Sequence, residues 1–255
     1  MATLPNPLPR LATLGLALPP GRLIDVTAEG KWHEPLLWLA DERATPDTWA
    51  ALQHTPRAHG LLPVLVDVGQ GHGAPEEWEL TPGEMSYPGD HDPEEVLADF
   101  WDECCTEEAG DWPGLAATPD LAAKPADVVH DLLAPGSQLK DPRLALVPAR
   151  RSADIPTAIG WTGAANHEND TARLSAVLRS WEDRFGIRLL ALGVDRLVMS
   201  VATPPTTRGE ANAIAAEHFA FCPDNIWQGC PSDPTLVGYS EREVLNQPTW
   251  HFCWD

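Results

Sequence analysis

Apolar residues recur at helical spacing in two stretches of the C-terminal half of the chain. The first stretch places five apolar side chains on one helical face: Leu174, Val177, Leu178, Trp181 and Phe185. Asp170 precedes this face as an N-cap, and Gly186 follows at the position where helices end. The second stretch begins after Thr207 and is closed by Pro223. Its predicted inner face carries Ala211, Ile214, Ala215, His218, Phe219 and Cys222.

Short apolar runs around these two helices predict the strands of a sheet. Residues 143–149 form one run, and the runs 187–192 and 196–202 flank a compact turn at residues 193–195, which predicts a hairpin. The aromatic end of the chain, residues 250–254, is strand-like, and residues 152–159 predict one or two helical turns ending at Gly160. The order of these elements predicts an α+β fold over residues 143–255, with a mixed or antiparallel sheet and helices packed on one side.

The N-terminal half, residues 1–142, is predicted to be an α/β half with an acidic, loop-rich segment. Apolar runs at residues 35–40 and 61–66 flank a helix start at residues 45–48, which predicts a small β-α-β unit. A helix opening at Asp92 places Val96, Leu97, Phe100 and Trp101 on one face. Residues 110–142 form a connection with one short helix over residues 125–133.

Composition indicates an ordinary globular protein. The 255 residues are 43% apolar, which is enough for a sizeable core. No apolar window is long enough for a membrane helix, and no secretory signal is evident, so we expect a cytoplasmic protein with no membrane partner. The five cysteines are an odd number in a chain too long to need disulfides, which favours reduced thiols.

The net charge of -21 is concentrated in one segment. Sixteen acidic residues and no Lys or Arg lie between Arg57 and Lys124. A surface this negative repels phosphate backbones, so we expect no nucleic-acid partner. It suits a basic protein partner, and it is equally what a solvated acidic surface without a partner would carry.

Four ordered motifs in the C-terminal half carry a resemblance to a known family. They are Gly160-Trp161-Thr162-Gly163 with Asn166, the run from Trp181 to Gly186, Glu217-His218 with the run from Phe221 to Asn225, and Trp250-x-Phe252-x-Trp254-Asp255. Together they resemble the bacterial domain-of-unknown-function family forty-two fifty-three, common in actinobacteria, over residues 143–255. Cys253 stands where the family usually has the first Trp of a terminal Trp-Trp-Asp. The resemblance implies a fold but no established activity.

Six residues are candidates for a binding site: Trp161, Asn166, Glu182, Arg184, Glu217 and His218. Trp161 lies between glycines in a loop, where a Trp packs as a plug or stacks on a partner. Asn166 belongs to a polar stretch that suits a catalytic loop or a helix-capping turn. Glu182 and Arg184 either belong to a solvated helix surface, tie the helix to the Trp161 loop, or line a ligand groove.

His218 lies four residues before Cys222, a spacing that brings two zinc ligands together on a helix. The apolar neighbours on the same face favour a buried histidine beside a buried thiol instead. Since no further ligands complete a known zinc signature, we expect no metal and no cofactor. We also find no nucleophile elbow, phosphate-binding loop, dinucleotide fingerprint or zinc-protease motif.

Two hypotheses of function follow. The leading one is a non-enzymatic protein-interaction module, of the antitoxin or immunity type, whose acidic surface meets a basic partner. The alternative is an enzyme or small-ligand binder with a pocket at the Trp161 loop and the two C-terminal helices. Convergence of the candidate polar groups on an open pocket would favour the alternative, whereas their burial in pairs would favour an interaction module.

Overall fold

A computed structural model describes residues 5–52, 56–69, 71–104, 110–119, 128–229 and 233–254. Seven strands form one mixed sheet, and two further strands, β2 and β3, form a small hairpin. The strands are β1 (Gly21–Ile24), β2 (Val26–Thr27), β3 (Gly30–Lys31), β4 (Leu37–Arg43), β5 (Leu61–Asp67), β6 (Pro142–Pro148), β7 (Arg188–Leu192), β8 (Arg196–Ser200) and β9 (Thr249–Cys253). Their order across the large sheet is β1-β4-β6-β5-β7-β8-β9.

Eight α-helices accompany these strands in the described residues. They are α1 (Pro46–Leu52), α2 (Pro93–Cys104), α3 (Val129–Leu133), α4 (Ile155–Ile159), α5 (Thr171–Phe185), α6 (Arg208–Phe221), α7 (Asp224–Trp227) and α8 (Leu236–Tyr239). A π-helical turn, Ser240–Val244, follows α8. None of the described helices is long and apolar enough to cross a membrane.

The predicted α+β class is confirmed, and the elements of the C-terminal half form where the sequence places them. Asp170 caps α5 by accepting the backbone N–H of Ala172, and Gly186 ends the helix with φ 65°. β7 and β8 pair as the predicted antiparallel hairpin. The apolar faces of α4, α5 and α6 pack on the same side of the sheet, because all three contribute to one core cluster.

Helix α6 is buried around more of its circumference than its sequence pattern indicates. Ala216, Glu217, Ala220 and Phe221 are buried in addition to the predicted inner face, whereas Phe219 is only partly buried. The reason is that α6 also contacts α2, which packs against both α5 and α6. A helix with neighbours on two sides does not show a single apolar stripe.

In the N-terminal half, β4, α1 and β5 form in the predicted order, but β4 and β5 are not neighbours. Strand β6 from the C-terminal half lies between them and pairs antiparallel with both. Strand β5 then pairs in parallel with β7. Both halves of the chain therefore build one continuous sheet, and the proposed division at residue 142 falls just inside β6, the strand that joins them.

A second core cluster covers the opposite face of the sheet. Trp49 of α1, Leu132 of α3 and Leu8 of an N-terminal 3-10 helix pack there against Trp38 and Leu146. The short strands β1 to β3 were not predicted, because Gly21–Ile24 buries only Ile24 and lacks an apolar run. The predicted helix over residues 125–133 forms from Val129, and residues 125–127 lie outside the described part of the chain.

Candidate functional site

The motif around Trp161 buries the indole side chain in the core. The indole is 1% exposed, its Nε1–H donates to the carbonyl oxygen of Gly193 at 2.8 Å, and its ring meets Trp254 edge-on at 5.5 Å. Gly160 has φ 66°, and a Cβ there would lie 2.1 Å from the backbone nitrogen of Pro82. Glycine is therefore required where the chain turns Trp161 into the core.

The other three motifs contribute aromatic side chains to one cluster in the same core. The ring of Trp181 stacks on Phe252 at 5.5 Å and contacts Phe221 at 4.8 Å. Trp250 packs edge-on against both Trp181 and His218. Helices α5 and α6 and strand β9 thus contribute one aromatic residue or more each to a single packed unit. Asp255, the last residue of the fourth motif, lies outside the described residues.

Arg184 of α5 and Glu217 of α6 form a buried ion pair above this cluster. Nη1 and Nη2 of Arg184 donate to the two carboxylate oxygens of Glu217, with Nη1 to Oε1 at 2.8 Å. Trp181 lies one helical turn before Arg184, and its Nε1–H donates to Oε2 of Glu217 at 2.7 Å. Glu217 is 0% exposed and Arg184 9% exposed. A buried pair of this kind is tolerable only when its remaining hydrogen-bonding positions are filled.

The main chain of Ala116 fills one further position on each member of the pair. The N–H of Ala116 donates to Oε1 of Glu217 at 2.7 Å, and its carbonyl oxygen accepts from Nη1 of Arg184 at 3.0 Å. Ala116 precedes the family-like region and lies in a segment outside any helix or strand. Sequence reasoning missed it, because nothing local marks a small residue in a loop as a partner of a distant ion pair.

Glu182 belongs to a different cluster. Its carboxylate accepts from Arg151 Nε at 2.6 Å, Ser152 Oγ at 2.9 Å and Arg188 Nη1 at 3.0 Å. Burial lowers the pKa of the Arg151 guanidinium, but hydrogen bonds to Asp183 and Glu182 outweigh it and raise that pKa above its ordinary value. Glu182 therefore ties α5 to the turn before α4 and to β7, rather than to the Trp161 loop.

His218 is enclosed. Its Nδ1 lies 3.1 Å from the hydroxyl oxygen of Tyr239, and its Nε2 is buried without a hydrogen-bond partner. Burial, reinforced by the positive charge of Arg184, lowers the pKa of His218 to about 3. Burial also raises the pKa of the Cys222 thiol. The described residues contain no group of three or more His, Cys, Asp or Glu side chains that could hold a metal ion.

Asn225, the last residue of the third motif, covers the outer edge of β9. Its Nδ2 donates to the carbonyl oxygen of His251 at 2.6 Å, and its Oδ1 accepts from the N–H of Cys253 at 3.1 Å. The thiol of Cys222 donates to the carbonyl oxygen of Cys253 at 3.2 Å. The motif therefore satisfies backbone groups that an edge strand would otherwise leave unpaired.

Asn166 lies in an exposed turn between Trp161 and α5. The structure thus brings Arg184 and Glu217 together, with His218 beside them in the aromatic cluster. Glu182 belongs to the separate cluster with Arg151 and Arg188. A cavity of ≈ 310 Å³ lies on the opposite side of the sheet, beside Arg43, Leu133 and Lys140. None of the six candidate residues lines it.

The acidic segment places one helix surface in solvent. Five side chains of α2 on the side away from its apolar face are exposed or extend into solvent: Glu94, Glu95, Asp99, Asp102 and Glu103. Asp99 pairs with Arg173 at 2.8 Å, and Glu76, which precedes α2 in the chain, pairs with Arg22. Asp67 is buried at the end of β5, where it accepts the N–H groups of Lys140 and Asp141. We call Glu95, Asp102 and Glu103 the acidic surface of α2.

Comparison with known proteins agrees with the motifs. A protein-family model described as Domain of unknown function (DUF4253) matches residues 143–255. Neither the curated proteins nor the solved structures gave a match. All four motifs, and every candidate residue from Trp161 to His218, lie inside the matched range. The C-terminal region of the chain, residues 143–255, therefore matches DUF4253, a family of unknown function.

Proposed function

We propose that the protein is a non-enzymatic, cytoplasmic protein-interaction module of the antitoxin or immunity type, whose acidic surface binds a basic partner protein. The observation that carries the proposal is the acidic surface of α2 in a segment without Lys or Arg. Among the acidic side chains described between Arg57 and Lys124, Glu76 pairs with Arg22 and Asp99 pairs with Arg173, whereas the acidic surface of α2 is exposed.

Electrostatic steering gives such a surface a function in association. Exposed like charges on one helix repel each other and contribute little to stability, so their concentration is better explained by a field outside the molecule. That field extends about one Debye length, ~8 Å at physiological salt. It accelerates the approach of a positively charged partner, and salt weakens this acceleration.

The arrangement of the candidate polar groups supports the same proposal. Arg184 and Glu217 pair with each other, Glu182 pairs with Arg151 and Arg188, and His218 contacts Tyr239. Catalytic acids and bases need access to a substrate. Side chains that are buried and engaged with one another favour a packing and binding function over a catalytic one.

The test compares two variants that remove the same number of carboxylates from opposite sides of the sheet. Glu95→Gln, Asp102→Asn and Glu103→Gln neutralise the acidic surface of α2. The matched control is Glu42→Gln, Asp47→Asn and Asp131→Asn, three exposed acids on or beside elements of the opposite face. Glu76 and Asp99 stay unchanged because each is paired with an arginine.

The measurement is the association rate of a basic partner captured from the native host and purified. We expect the α2 variant to lower this rate about tenfold at low salt, with little effect at high salt. The control variant should behave like the wild type. Equal rates for the wild type and the α2 variant at both salt concentrations would contradict the proposal.

A further inference from the structure

We propose that Arg184 and Glu217 form a binding site for the main chain of an extended, uncharged peptide, and that residues 112–119 of the chain occupy this site in cis. The proposal rests on the hydrogen bonds of the buried pair and not on the acidic surface of α2. It assigns the DUF4253 domain a ligand-binding site that can function independently of the proposed basic partner.

The geometry of the pair suits the binding of a peptide backbone. Oε1 of Glu217 presents an acceptor and Nη1 of Arg184 presents a donor, and both engage the same residue, at 2.7 and 3.0 Å. In an extended chain, the N–H and C=O of one residue point to the same side. One carboxylate and one guanidinium, held bidentate to each other, therefore present a matching acceptor and donor for one residue of a strand-like peptide.

The pair is held rigidly in this orientation. Trp181 donates to the second carboxylate oxygen of Glu217 at 2.7 Å, and Ser180 accepts from Nε of Arg184 at 3.0 Å. Contacts within the protein thus orient both side chains of the pair independently of the bound segment. Preorganised polar groups bind with less loss of conformational entropy than groups that must reorient.

The segment bound at the pair differs in composition from the acidic residues around it. Residues 112–119, Trp-Pro-Gly-Leu-Ala-Ala-Thr-Pro, carry no charge, although they lie within the acidic part of the chain. Ala116 is 6% exposed, whereas Trp112 and Leu115 are partly buried and pack against the main core. Trp101 of α2 contacts the ring of Trp112 at 5.6 Å. The site therefore selects a small residue at the position of Ala116 and apolar residues at the positions of Trp112 and Leu115.

The main-chain contacts make the site tolerant of sequence. Glu217 accepts from a backbone N–H and Arg184 donates to a backbone C=O, and every residue except proline provides both groups. Specificity comes only from the space at residue 116 and from the apolar contacts of residues 112 and 115. A second peptide with the same pattern competes with the cis segment, whose local concentration keeps the site occupied in the intact chain.

The experiment uses the full chain and a fluorescent synthetic peptide of residues 112–119. In one variant, Ala116→Pro removes the N–H that Glu217 accepts, so the cis segment loses its clamp while Arg184 and Glu217 remain. We expect this variant to bind the peptide in fluorescence anisotropy at least about tenfold tighter than the wild type, because its site is no longer occupied. A peptide with proline in place of Ala116 should not bind.

A milder variant covers the case in which Ala116→Pro does not fold. Leu115→Ala weakens the packing of the cis segment and leaves both main-chain hydrogen bonds in place, so we expect a smaller gain in peptide binding. Its control is Leu16→Ala, a partly buried leucine that packs on the other core cluster, which should bind no better than the wild type. Folded variants that bind no peptide, or that bind it no better than the wild type, would refute the site.

Discussion

At the scale of single residues, the DUF4253 motifs supply buried polar groups whose partners lie inside the protein. Glu217 has no solvent exposure, yet its two oxygens accept from Arg184, Trp181 and Ala116. Because an unpaired buried charge is strongly destabilising, each of these partners is needed for the others to be buried. His218 differs, since one of its ring nitrogens has no partner.

His218 should make stability depend on pH in the weakly acidic range. Its folded pKa of about 3 lies below the unfolded value of 6.5, so below pH 6.5 the unfolded state binds a proton that the folded state does not. Stability is therefore unaffected above pH 6.5 and falls as pH decreases. From pH 7 to pH 5 we expect a loss of about 2 kcal/mol from His218, measured by urea unfolding.

Replacing the imidazole separates this contribution from the others. In His218→Phe, the pH dependence should shrink to the part that remains from residues such as His251, whose pKa burial lowers to about 4. His33→Gln, at an exposed position, is the control and should keep the wild-type slope. An unchanged slope in His218→Phe would show that His218 binds its proton equally well in the folded and unfolded states.

At the scale of the elements, the sheet ends at an edge strand that is covered by side chains. Asn225 forms hydrogen bonds with two backbone groups of β9. It is the second residue of α7, which begins shortly after α6 ends at Phe221. The motif Phe221-Cys222-Pro223-Asp224-Asn225 thus ends one helix and covers the edge of the sheet in five residues.

Asn225→Ala should destabilise the protein through the edge of β9. The substitution leaves the carbonyl oxygen of His251 and the N–H of Cys253 without their partner, and each such loss costs about 1–3 kcal/mol. We expect a loss of about 2–4 kcal/mol in chemical unfolding and faster amide exchange at Cys253. Asn169→Ala, at an exposed position, should change stability little. Equal stability of both variants would mean that water replaces Asn225 at the edge.

At the scale of the whole molecule, the two halves share one sheet. Strand β6 has β4 and β5 as its neighbours, and β7 pairs with β5, so three of the pairings of the DUF4253 domain lie with strands that precede it. The Arg184 and Glu217 pair crosses the same boundary by holding Ala116. The N-terminal half therefore contacts residues 143–255 in two ways. Its strands pair with β6 and β7, and its Ala116 binds the buried ion pair.

The isolated fragment 143–255 should consequently not reach the native fold. It would expose both edges of β6 and leave the buried pair without Ala116. We expect a broad, non-cooperative thermal transition and aggregation, since unpaired strands associate with one another. Co-expression with residues 1–142 should restore cooperative unfolding. A monomeric fragment that unfolds cooperatively alone would instead support two independent domains divided at residue 142.

The sequence alone determined the features that depend on neighbouring residues. The caps and apolar faces of α5 and the hairpin of β7 and β8 formed as predicted, because helix periodicity, capping and turn chemistry act over a few residues. The motifs also identified the DUF4253 family correctly. Burial of Trp181 followed from the same periodicity.

Only the tertiary structure decided which distant segments meet. The placement of β6 between β4 and β5 joins residues far apart in the chain, and no local pattern specifies it. Ala116 lies 68 residues from Arg184 and 101 residues from Glu217, so the clamp has no sequence signature. Burial also turned candidate ligand groups into internal partners, because the aromatic cluster and α2 enclose α6 on two sides. Contacts of this range follow from packing the whole chain, and the backbone site on Arg184 and Glu217 exists only once that packing is complete.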